Sequence, residues 1–118
     1  MAAFRPPAEL LGTWQGLVKT WNGDLTVKME VREDGDIHLK LGNQLETLLN
    51  NPRFADNELN GRFTGMIPTE DANRDRHTIY LHRVVLRGDT LSGAVIAISD
   101  AHYSLPSWIK LVRQKTAQ

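Results

Sequence analysis

The chain has no cysteine, which excludes a disulfide framework and a thiolate metal site. It has no excess of either charge, with 14 Lys+Arg against 14 Asp+Glu. Proteins that work on nucleic acid displace counterions from phosphate and show a basic surplus, so no nucleic-acid partner is expected. No apolar run approaches membrane-spanning length, so no membrane partner is expected. The start, Met1 to Leu11, lacks the apolar stretch that a signal peptide needs, and the compartment stays open. What remains is a chain of 118 residues, one domain's worth. That length buries a core without staples. Residues 1–10 read as a linker, with Phe4-Arg5-Pro6-Pro7-Ala8 leading into a single domain over 11–114. Residues 115–118 read as a frayed tail.

The dominant pattern has period two. Leu25, Val27, Met29 and Val31 alternate with Thr26, Lys28, Glu30 and Arg32, as in a strand with one buried face. After the turn Glu33-Asp34-Gly35-Asp36, Ile37, Leu39 and Leu41 alternate with His38 and Lys40. The two strands should pair as a hairpin, because Asp-Gly supplies the positive φ such a turn needs. Trp21-Asn22-Gly23-Asp24 and Arg87-Gly88-Asp89 repeat the grammar, and Asp56-Asn57-Glu58 precedes a further strand. Strands are predicted near Leu11–Trp21, Asp24–Arg32, Asp36–Leu41, Leu59–Met66, Thr78–Leu86, Thr90–Ser99 and Trp108–Arg113. Leu45 to Asn51 fits a short helix or a strand, and the polar run Pro68 to Arg76 reads as a loop. Gly12, Gly61 and Gly93 each fall inside a strand pattern, where glycine often marks a bulge or bend. The fold class is therefore all-β: an antiparallel up-and-down meander of about eight or nine strands, closed into a barrel because closure removes exposed edges.

Gly12-Thr13-Trp14 on the first strand, with Arg113 near the end of the last, resembles the calycin signature shared by lipocalins, fatty-acid-binding proteins and avidins. The resemblance implies that Trp14 plugs a barrel end and that Arg113 stacks across it. A longer likeness runs through Leu11-Gly12-Thr13-Trp14-Gln15-Gly16, Gly35 to Gly42, Leu59-Asn60-Gly61-Arg62-Phe63 and Leu86 to Ala94. These segments resemble the lipocalin-like accessory domain that follows the catalytic domain in some bacterial serine hydrolases of the β-lactamase and peptidase type. That resemblance implies a non-catalytic domain, with the catalytic serine elsewhere. The chain is far shorter than the free lipocalins and lacks their disulfides. It also lacks the avidin pattern of biotin contacts, so biotin binding is not implied.

Several constellations have plain structural readings. Ser107-Trp108-Ile109-Lys110 spells S-x-x-K, a nucleophile motif that needs serine and lysine on one helical face. On a strand, i and i+3 point to opposite faces. Asp71-Ala72-Asn73-Arg74-Asp75 opens like a calcium loop, but Arg76 stands where glycine belongs and His82 where glutamate belongs. His38 falls on the charged face of its strand, and His77 and His82 face opposite ways. No catalytic residue, metal or cofactor is expected. Trp14, Trp21 and Trp108 read as core or plug residues, with Trp21 the best candidate for a contact surface.

Two strands are apolar at both parities. Within Thr78–Leu86, either Tyr80, His82, Val84 and Leu86 or Ile79, Leu81, Arg83 and Val85 face inward, and the sequence does not choose. Candidate ligand contacts in the barrel are Met29, Leu39, Phe63, Tyr80 and His82. Candidate interface residues are Ile79, Leu81, Val85, Ile96 and Ile98, the last two from the equally apolar Thr90–Ser99. A wide apolar outer face is rarely left bare, although scattered surface aliphatics are normal. The expected function is domain packing or oligomerisation, against a catalytic partner domain or a second copy. The alternative is a free protein that binds a small apolar ligand.

Overall fold

The computed structural model describes residues 4–20, 23–65, 78–99, 102–103 and 106–114, with backbone alone for 99, 102 and 103. A short 3-10 turn, Ala8–Leu10, leads into ten strands. They are β1 (Gly12–Thr20), β2 (Gly23–Val31), β3 (Ile37–Leu41), β4 (Thr47–Leu48), β5 (Asn50–Ala55), β6 (Glu58–Thr64), β7 (Thr78–Arg87), β8 (Thr90–Ser99), β9 (His102–Tyr103) and β10 (Ser107–Arg113). Nine of them follow one antiparallel path, β4-β3-β2-β1-β10-β8-β7-β6-β5, and β9 pairs β8 beside it.

The path nearly closes on itself. First and last strands pair, with Trp14 opposite Arg113. The two ends of the path, β4 and β5, are separated in the chain only by Leu49. The Leu49 N–H donates to the Ile37 carbonyl at 2.8 Å, so one bent segment pairs with β3 on one side and β6 on the other. The result is a nearly closed antiparallel meander barrel, consistent with a calycin-like fold. Leu45 to Asn51 contains no helix; it holds β4 and the start of β5. The β2–β3 hairpin forms at the expected turn, where the Asp34 carboxylate accepts from the Asp36 N–H at 2.9 Å. The β5–β6 hairpin turns at Asp56 and Asn57, both at positive φ, as a primed two-residue turn requires.

The barrel holds its own side chains. Trp14, Met29, Leu39, Phe63, Ile79 and Leu91 are all at most 2% exposed. Each comes from the inward parity of its strand. With β4 and β5 acting as one bent strand, the barrel has eight staves, a width that side chains just fill.

The parity of β7 changes midway. His82 pairs with Ala94 and Val85 with Ser92, so Arg83 and Val84 together oppose Gly93. This is a β-bulge, and Arg83 adopts a φ of 52°. A bulge adds one residue and so reverses which parity faces inward. Ile79 and Leu81 point inward before it, Val84 and Leu86 after it, and all four are buried. Neither single-parity reading of this strand holds along its length.

Candidate functional site

One barrel end is built around Trp14. The 3-10 turn carries Leu10 over it, fully buried, and the Trp14 Nε1–H donates to the Leu10 carbonyl at 3.0 Å. The Arg113 guanidinium lies 4.4 Å from the Trp14 ring centre. The same guanidinium donates to the carbonyls of Glu9 and Leu11 and to Asp89 Oδ1 at 3.0 Å. A planar fork suits this combination of stacking and splayed donors. It ties the entry segment, β1, the β7–β8 turn and β10 into one knot.

The other candidate residues separate into inside and outside. Met29, Leu39 and Phe63 lie in the core. Tyr80 and His82 do not face the barrel interior: Tyr80 is half-buried and His82 exposed, on the outer side of β7. The Tyr80 hydroxyl accepts from Arg62 at 3.3 Å. Ile79 and Leu81, offered as interface residues, are core residues at 0% and 5% exposure. The β7 bulge explains both corrections. Val85, Ile96 and Ile98 face outward and are half-buried. Tyr80, Ile96 and Ile98 border a shallow depression there.

Trp108 was missed as a surface residue. It is 65% exposed on the outer face of β10, with Leu17 at 41% and Val112 at 42% beside it. The sequence held a signal for this. Trp108 and Val112 share parity with Lys110, and Leu17 shares it with Gln15 and Lys19. Together these side chains flank a groove of about 590 Å³ across β1, β10 and β8. Its lining includes Gly16 and Gly93, where the backbone packs against its neighbours. A Cβ on Gly16 would lie 1.8 Å from the Lys110 carbonyl oxygen, and one on Gly93 2.2 Å from that of Arg83. A second depression, over β1, β2 and β3, shares Gly16 with the first and is bordered by Lys28 and Lys40.

Charge on this outer surface is uneven. Lys19, Lys28, Lys40 and Lys110 are all exposed, and Lys28 lies directly opposite Lys40 in the β2–β3 register. Just past the end of β2, Arg32 donates to Glu30, which holds the Glu30 carboxyl below its ordinary range and raises Arg32 in turn. His38 Nδ1 stands 3.7 Å from Glu46, while its Nε2 is buried without a hydrogen-bond partner. Ser107 is buried and Lys110 exposed, on opposite faces of β10, so the S-x-x-K pair does not converge. Among the described residues no group of three or more His, Asp or Glu is placed to hold a metal. The calcium-like stretch, His77 and Trp21 lie outside the described residues, as do the side chain of His102 and the tail 115–118.

Comparison with protein-family models, with curated proteins and with solved structures returns no match.

Proposed function

We propose that this chain is a non-catalytic barrel that acts by docking. Its working surface is the outer face of β1, β10 and β8, and its occupant is the catalytic domain of a serine hydrolase. The observation that carries docking is the exposed apolar trio Leu17, Trp108 and Val112 around a groove. Indole anchors of this kind dominate protein contacts because they remove much apolar area from water at low entropic cost. The hydrolase identity rests on the sequence resemblance alone.

The second reading, a small apolar ligand inside the barrel, is less well supported. Such a ligand would need the volume that Trp14, Met29, Leu39 and Phe63 fill. A second copy is also less favoured as the occupant. Two-fold pairing of this face would set Lys19 and Lys110 of one chain against the same lysines of the other.

A photo-cross-linker in place of Trp108, in the native host, tests the proposal. The expected product is a covalent adduct with a protein that an active-site serine probe labels. An adduct with another copy of this chain, or with no serine hydrolase, would overturn it.

A further inference from the structure

Resting on that docking surface, we infer the chemistry of the segment that binds it: an acidic polypeptide stretch carrying an apolar anchor. The anchor sits in the groove beside Trp108, and its flanking carboxylates meet Lys19, Lys28, Lys40 and Lys110.

Four observations on one surface support this. First, the groove includes backbone at Gly16 and Gly93 and is rimmed by exposed apolar side chains, with Lys110 between Trp108 and Val112 on the central strand. Second, the lysines are interleaved with that apolar rim. Leu17 pairs with Lys110 and Lys19 with Trp108 across β1 and β10, so two of the three apolar side chains have an ammonium directly across from them.

Third, Lys28 and Lys40 face each other directly across β2 and β3. Like charges in that position work against the sheet, and an acidic ligand would relieve the repulsion. Fourth, none of the four lysines forms an ion pair with a described residue, whereas Glu30 and Asp89 already have arginine partners. Carboxylates near them are few: Asp24 lies opposite Lys19, and Glu30, two residues from Lys28 on β2, is already held by Arg32.

The balance of the whole chain argues for a polypeptide over nucleic acid. Net charge is +0 at pH 7, and the cationic surface is local and mixed with aliphatic side chains. Phosphate backbones draw on a wide basic excess. A segment that alternates carboxylates with one apolar side chain matches both components of this surface.

The test uses the full chain and calorimetric titration with a short synthetic peptide of glutamates flanking a leucine–phenylalanine pair. A counterpart with glutamine at every glutamate, vesicles of phosphatidylglycerol and an oligothymidylate are titrated in parallel. The acidic peptide should bind saturably and more weakly as salt rises, and the glutamine counterpart should not bind. The double variant Lys19→Glu/Lys110→Glu should weaken the acidic peptide by about tenfold or more. Both lysines are exposed, so an unchanged melting temperature would show that the variant folds.

Equal binding of the glutamine counterpart, indifference to the charge reversal, or preference for the vesicles or the oligonucleotide would overturn the inference. Failure of the peptide together with a hydrolase adduct at Trp108 removes the acidic segment and leaves docking standing. Failure of both removes both.

Discussion

Trp14→Ala is expected to destabilise the barrel by about 3–5 kcal/mol, the range for truncating a large buried aromatic. Trp14 is fully buried, so the substitution opens a cavity at the barrel end that its rigid neighbours cannot fill. Three further losses follow from the geometry. The Leu10 carbonyl loses its donor, the Arg113 guanidinium loses the ring it stacks on, and Leu10 loses the surface it covers. A single domain holds only about 5–15 kcal/mol of net stability, so the variant should lose a large share of it. Urea denaturation measures this directly. Arg113→Lys should fail to restore an Arg113→Ala loss, because an ammonium cannot stack and reach the carbonyls of Glu9 and Leu11 together. A Trp14→Ala midpoint equal to that of the parent would show that the knot at this end does not hold the fold.

Gly16→Ala should be as damaging, for a different reason. Its Cβ would meet the Lys110 carbonyl oxygen at 1.8 Å and the Leu111 Cα at 2.9 Å, all backbone of β10. No rotamer change relieves a clash between backbones, so β1 and β10 must part where Gly16 pairs with Leu111. The expected loss is about 3 kcal/mol or more, at or above the upper end for overpacking. Gly88→Ala makes the control. Gly88 has φ of 60° but nothing within 4 Å of the added Cβ, so only local backbone strain of about 1 kcal/mol applies. Equal losses in the two variants would mean that close packing of β1 on β10 is not what fixes glycine at position 16.

Much of the barrel was legible because alternation and burial agree in its strands. In β2 and β3 the residues Val27, Met29, Val31, Ile37, Leu39 and Leu41 read as one apolar face and are all buried. β5 was not legible. Its Asn50-Asn51-Pro52 start has poor strand propensity, and its side chains are at most half-buried, so no periodic signal arose. Asn51 has positive φ, which sequence alone does not reveal.

The β7 bulge was hidden for a related reason. Both parities of this strand are apolar, so the switch at Arg83 leaves no break in the pattern; only Gly93, the residue opposite, marks it. That one hidden residue misdirected Ile79, Leu81, Tyr80 and His82. The groove around Trp108 failed differently. The alternation with Lys110 is present in the sequence, but the strong bias of tryptophan towards burial outweighs it. A docking surface gains affinity by violating that bias.

In the proposed docking role this barrel works by its outside and not by its interior. Amide and indole chemical shifts of the labelled chain, followed by NMR as the domain captured at Trp108 is added, test it most directly. The prediction is that shifts concentrate at Leu17, Trp108 and Val112 while the Trp14 indole and the amides of Met29 and Phe63 stay in place. Shifts concentrated at Trp14, Met29 and Phe63, with Trp108 unmoved, would contradict it.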